Sequence, residues 1–334
     1  MKKQILSFTA LLMALLLAGC AVSAQQSGTD SARTDASGAQ TESAVSPGTQ
    51  PQAVTFTDAL GRTVTVENPK RVAALIGSFA DVWCLAGGKD TLVAAADDTW
   101  TQFELGLPET VASLGGVKEP SAEALLAAQP DFVIASAKTA ADVNLLPTLE
   151  QAGVTTAYFE GSTVEDYLEM LEVCTRITGR PELYEQYGEQ VRAQVDGAVA
   201  RAQGKEGPSV LYLRATGSSC KVKNGKGSVL GKMLAALGCV NIADSDTSLL
   251  ETLSMEAILA ADPEIIFIVL QGSDGAKAEQ TLESTVLLNP AWQQLSAVKK
   301  GRVCYMDQQL YNLKPNARWG EAYEGLAEIL YGEA

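Results

Sequence analysis

No histidine occurs among the 334 residues. That absence removes every Ser-His or Cys-His nucleophile pair and every imidazole metal ligand, which excludes a histidine-dependent triad hydrolase and argues against a carrier of free Zn²⁺ or Mn²⁺. Aromatics are scarce at 6%. Basic residues are outnumbered, 25 against 40 acidic ones, and the net charge of −15 argues against a nucleic-acid partner. No G-x-S-x-G is present, and Lys223-Asn224-Gly225-Lys226-Gly227-Ser228 misses the phosphate-loop spacing because Gly227 separates Lys226 from Ser228. Beyond Cys20 five cysteines remain, an odd number with no C-x-x-C. Their apolar neighbours suggest buried thiols, with a Cys220 to Cys239 bridge left open.

The front of the chain has its own signature. Lys2 and Lys3 precede an apolar run from Leu11 to Leu17, which ends in Leu17-Ala18-Gly19-Cys20. The run is shorter than the roughly 20 residues a bilayer span needs, and small residues followed by Cys form a lipoprotein cleavage pattern. Cys20 is therefore expected to become the acylated first residue. Residues 21–53 are Ser, Thr, Gly, Gln and Ala with almost nothing large and apolar. Such a segment reads as a disordered tether, holding a folded body off the outer face of the cytoplasmic membrane.

The body begins with two alternating runs, Val54–Asp58 and Arg62–Val66, around Ala59-Leu60-Gly61, which predicts a hairpin. Strands are predicted at 71–76, 92–96, 131–136 and 155–159, then at 209–214, 264–270 and 302–306. The stretches between them have a helical period, as in an α/β fold with parallel sheets covered by helices. One unit occurs twice: Ser121 to Pro130 and Ser254 to Pro263 both read S-x-E-A-x-L-A-A-x-P, each followed by an apolar run. Ser caps a short helix, Pro stops it, and a buried strand follows. Two similar lobes are implied. Between them Leu183, Tyr187, Val191, Val195 and Val199 recur every fourth residue after Pro181. That stripe predicts one long, rigid helix over 181–204 joining an N-terminal lobe (54–180) to a C-terminal lobe (205–334).

These parts together resemble the substrate-binding lipoproteins of ATP-driven importers for iron-siderophore, haem and cobalamin, in which one helix bridges two α/β lobes. The resemblance rests on Phe56-Thr57-Asp58-Ala59-Leu60-Gly61-Arg62, Pro69-Lys70-Arg71-Val72, both repeated units, the bridging helix and Pro315-Asn316-Ala317-Arg318-Trp319-Gly320. It implies a monomeric carrier, not an enzyme, with no resident cofactor. Its partners would be a small-molecule metal chelate, a membrane permease and the permease's ATPase. It also implies that one Glu on each lobe meets permease arginines, and the matching positions are Glu123 and Glu256. By themselves these carboxylates could instead complement helix dipoles.

Ligands of open α/β sheets sit beyond the carboxyl ends of strands. Arg214 ends a strand there and leads a basic stretch containing Lys221, Lys223 and Lys226, suited to carboxylate or catecholate oxygen. Tyr311, Asn312, Lys314 and Arg318 follow the last strand, although Arg318 could pair locally with Glu321. Ser78, Phe79 and Trp100 follow the first two strands and could supply an apolar wall. The expected cargo is an anionic ferric siderophore, with cobalamin or haem as the alternative within the class. A secreted enzyme or an adhesin is the reading from outside it.

Overall fold

A computed structural model describes residues 53–272 and 274–332. The expected lipoprotein leader, Cys20 and nearly all of the expected tether lie outside the described residues. Twelve strands form among the described residues. β1 (Val54–Thr57) and β2 (Thr63–Val66) pair antiparallel, with Val54 opposite Val66 and a turn at Gly61. The first large sheet contains β3 (Val72–Ala74), β4 (Leu92–Ala95), β5 (Ala112–Ser113), β6 (Phe132–Ser136) and β7 (Thr155–Phe159). Its order is β5-β4-β3-β6-β7, and every pairing is parallel. The second contains β8 (Ser209–Ala215), β9 (Cys220–Lys223), β10 (Val240–Asn241), β11 (Ile265–Leu270) and β12 (Val303–Met306). It runs β10-β8-β11-β12 in parallel, with β9 antiparallel against the far end of β8.

All seven of the expected strands are present. Three short ones, β5, β9 and β10, were not expected. Central strands such as Phe132-Val133-Ile134-Ala135-Ser136 are buried at every position, as strands covered on both faces must be. In each sheet the chain builds outward in one direction and then in the other. The order reverses beside β3 in the first sheet and beside β8 in the second. A crevice opens at such reversals, beyond the carboxyl ends of the strands.

Eight helices matter to the site: α1 (Gly77–Leu85), α2 (Ala122–Ala127), α3 (Ala140–Asn144), α4 (Val164–Thr178), α5 (Gln190–Ala202), α6 (Val229–Ala236), α7 (Met255–Ala261) and α8 (Trp319–Tyr331). Thr163 and Asp166 close a capping box at the start of α4, and Gly179, at φ +71°, ends it. The expected uniform rod between the sheets differs from what forms. Pro181–Tyr184 is α-helical, Glu185–Glu189 winds as a π-helix, and α5 completes the run. The π-turns place Gly188 so close to Tyr184 that a Cβ there would stand 2.8 Å from the ring. Val191 and Val195 are buried as the stripe requires, and Arg201 holds Glu328 of α8 at 2.6 Å.

The two sheets share a core. One apolar cluster runs from Val72, Phe79 and Phe132 through Val191 and Val195 to Tyr212, Phe267 and Trp319, so α5 and α8 bury themselves between the sheets. The opposite face of each sheet has its own smaller cluster. All five described cysteines are free, Cys220 and Cys239 included, and burial pushes their thiols up.

Candidate functional site

A cavity of about 520 Å³ lies where the carboxyl ends of the two sheets face each other. The first sheet lines it with Ile76 and Ser78 after β3, Asp98 and Phe103 after β4, Lys138 after β6, and Glu160 to Ser162 after β7. The second contributes Arg214 at the end of β8, the Lys226 to Val229 turn and Lys232 around the start of α6, and Asn312 to Lys314 after β12. Five cations thus face two carboxylates in a chain whose net charge is −15. The cleft inverts the sign of the protein around it.

Each cation is held differently. Lys138 pairs with Glu160 at 2.7 Å, which neutralises both at the rim. Arg214 donates from Nη1 to Asn312 Oδ1 at 3.3 Å, and no carboxylate pairs with it among the described residues. Lys226 and Lys232 flank the amino end of α6, where Ser228 accepts from Gly231 N at 3.2 Å and Asn224 Oδ1 accepts from Gly227 N at 2.9 Å. Helix amides and two ammonium groups therefore present positive charge together. Lys314 lies with its Nζ 4.8 Å from the centre of the Phe79 ring, and burial lowers its pKa against the pull of nearby Asp98 and Asp142.

Polar groups from the first sheet complete the wall. Asp98 Oδ1 accepts from Gly77 N at 2.8 Å, and burial raises its pKa. Ser78 is 4% exposed, and its Oγ has no hydrogen-bond partner. A second cavity of about 480 Å³ adjoins the first, sharing Phe103, Leu313 and Lys314 as a partition; Leu85, Leu105 and Leu310 give it a more apolar lining.

Of the residues anticipated for the ligand, Ser78, Arg214, Lys226, Asn312 and Lys314 come together in the larger cavity. The others are placed elsewhere. Phe79 is in the core, edge-on to Phe159, and reaches the cleft only through Lys314. Tyr311 is buried too, its hydroxyl donating to Ala322 O at 3.2 Å. Trp100 is 42% exposed on the one-turn helix Asp98–Thr101 and does not line either cavity. Lys221 and Lys223 are on β9, opposite Arg214 and Tyr212, so they share the face of Arg214 but do not line the cavity. Arg318 lines only the second cavity and is engaged in a two-pronged pair with Glu321, both contacts at 2.7 Å. Lys138, Glu160, Ser162 and Lys232 were missed. The signal for the first three was their position just past β6 and β7; Lys232 looked like an ordinary helix residue.

Glu123 and Glu256 are both exposed, each in the first turn of its helix, α2 and α7. Ser121 caps α2 by accepting from Ala124 N at 3.1 Å, and Ser254 caps α7 by accepting from Ala257 N at 3.2 Å. Neither carboxylate forms an ion pair among the described residues.

Known proteins share this architecture. Residues 72–310 match the family model described as periplasmic binding protein. The Fe(3+)-citrate-binding protein YfmC of Bacillus subtilis (strain 168) is 26% identical over 76% of this chain and 78% of its own length. The apo structure of the periplasmic heme-binding protein RhuT from Roseiflexus sp. RS-1 superposes with a TM-score of 0.63 at 22% identity, covering 78% of this chain and 98% of that one. Staphylococcus aureus SirA complexed with staphyloferrin B superposes at 0.61 and 22% identity, covering 83% and 97%. A family of binding proteins that matches well over half of the chain, on a fold whose two parallel sheets open a crevice at their reversals, leaves no enzyme to consider: this chain belongs to the periplasmic binding protein family.

Proposed function

We propose that this protein is an extracytoplasmic lipoprotein that captures an anionic ferric chelate of the siderophore or citrate type and delivers it to the permease of an ABC importer. The observation that carries this reading is the charge of the cleft: Lys138, Arg214, Lys226, Lys232 and Lys314 converge there in an otherwise acidic chain. Anionic oxygen donors of a metal chelate are the complement of such a wall. Among the described residues no group of three His, Cys, Asp or Glu side chains is arranged to hold a metal ion, so iron would arrive with its own ligands. Relatives named for ferric citrate and for staphyloferrin B support the same class.

The lining weighs against haem and cobalamin. No Tyr, Met or Cys lines the larger cavity to serve as an axial donor, and Phe103 is its one aromatic among the described residues. Delivery would use Glu123 and Glu256 as paired contacts for permease arginines, the lipid on Cys20 keeping the body near the membrane. Isothermal titration of the purified protein with ferric citrate and with citrate-based and catecholate ferric siderophores tests the reading. Micromolar or tighter binding of an anionic chelate is expected. The absence of binding by every ferric chelate would overturn it.

A further inference from the structure

Lys314 follows β12 in the second sheet, yet its side chain is seated against the first. A Cβ on Gly161 would stand 2.9 Å from Lys314 Cε, so glycine there leaves room for the lysine stem. The charges of Asp98, Asp142 and Asp166 all act on the ammonium, but none closes to an ion pair and the ammonium makes no hydrogen bond among the described residues. A half-buried cation without a direct partner is costly to keep, and Lys314 lines both cavities. Lys138, by contrast, already has Glu160.

One of these carboxylates, Asp142 on α3, has no solvent exposure at all. Its Oδ2 accepts from Ser136 N at 2.9 Å, while its Oδ1 has no partner. The groups that face it are Lys314 on the segment after β12, Asp98 on the turn after β4, the Ser136 amide at the end of β6, and Tyr158 of β7. The Tyr158 hydroxyl donates to the Asp142 backbone carbonyl at 2.8 Å. Burial is the main reason that Asp142 titrates high, at about 7.

We propose that Lys314 is the residue by which the cleft reads the charge of its cargo, pairing with an anionic oxygen of the chelate, and that Asp142 takes up a proton as that pair forms. The inference rests on the chelate reading above and adds to it a named selector and a linked proton. An anion meeting Lys314 cancels the positive charge that favours ionised Asp142 and brings negative charge toward Asp98. The proton comes from the buffer, and the O–H bond of Asp142 is the one covalent bond made. Ligand binding and proton binding then reinforce each other by linkage.

Titration calorimetry with ferric citrate, run at pH 7 to 8 in two buffers of different ionisation heat, reads both parts. The wild-type protein should take up a fraction of a proton, at most about one, and bind more weakly as pH rises. Asp142→Asn should still bind but lose most of the uptake, which also separates the protein's proton from any taken up by citrate. Lys314→Gln should bind ferric citrate about tenfold more weakly while a neutral ferric trihydroxamate changes by less than about twofold. A purely structural lysine would weaken both chelates alike. Equal losses for both chelates, or heats independent of buffer in the wild type, overturn this inference and leave the chelate reading standing. If no ferric chelate binds the wild type, both fall. Should Asp142→Asn fail to fold, Lys314→Gln and the wild-type buffer series still decide the matter.

Discussion

Asn316 donates its side-chain amide to Asp81 Oδ2 at 2.8 Å and to the Ser78 carbonyl at the same distance, tying the segment before α8 to α1 of the opposite sheet. Asn316 is 2% exposed and sits at φ +52°, a left-handed backbone that Asn tolerates better than most residues. Replacing it with Ala would strand a mostly buried carboxylate and strain the backbone. Asn316→Ala is expected to cost about 2 to 4 kcal/mol in urea unfolding. Gly at 316 should recover only the backbone part.

The stability of the protein should fall as pH rises toward neutrality. Asp81 and Asp142 both have their folded pKa raised by burial, Asp142 to about 7. A raised carboxyl favours the folded state while protonated; that contribution is complete below the unfolded value of about 4 and is lost as pH climbs through the folded value. Melting temperatures of the wild type should therefore decline between about pH 4 and pH 7, after allowance for the overall acidic charge. Asp142→Asn should show a shallower decline over the same window, measured by calorimetry in low-heat buffers.

Arg214 and Arg318 make a contrast between two guanidinium groups of similar apparent promise. Arg214 is half-buried beside Asn312 in the larger cavity, whereas Arg318 is exposed and already paired with Glu321. The pair holds Glu321 below the usual carboxylate range. Arg214→Ala should weaken anionic chelate binding by about tenfold or more. Arg318→Ala should change affinity by less than about twofold and stability by less than about 1 kcal/mol.

The contrast also shows where sequence reading succeeds. Strand runs such as Ile265–Leu270 and the repeated Ser-capped helices announce themselves, because burial and capping leave local, periodic marks. The end of β8 located Arg214 by a general rule about carboxyl ends. Whether a residue past a strand turns into the crevice or back into the core depends on contacts from distant segments. Tyr311 turned inward to Ala322 and Arg318 sideways to Glu321, and neither choice has a periodic signature. The π-winding at Glu185–Glu189 is likewise invisible in a stripe repeating every fourth residue. The partnership of Lys314 with Phe79 and Gly161 joins positions far apart in the chain, and only tertiary structure reveals it.

Glu123→Arg combined with Glu256→Arg should abolish chelate uptake by cells while leaving affinity of the purified protein unchanged. Both residues are exposed, remote in sequence from the cleft lining and free of ion pairs among the described residues, so folding should shift by less than about 1 kcal/mol. Uptake of radiolabelled iron as its chelate, beside calorimetry on the same variants, checks it. Normal uptake by the double variant would rule out docking through these carboxylates.

Gly161→Ala probes the seat of Lys314 without touching its charge. Gly161 is buried just after β7, and an added Cβ would lie 2.9 Å from both Lys314 Cε and Phe79 Cε1. Phe79 is 1% exposed and fixed by the core, so the lysine stem must give way instead. A displaced Lys314 should leave the Phe79 face and lose its fixed position in the cavity wall, weakening anionic chelate binding by up to about tenfold. The loss of fold stability should be smaller, about 1 to 2 kcal/mol, because only one close contact is crowded. Calorimetric affinity and urea unfolding of the same variant separate the two effects; a large loss of stability with unchanged affinity would show that Gly161 serves the core and not the seat of the lysine.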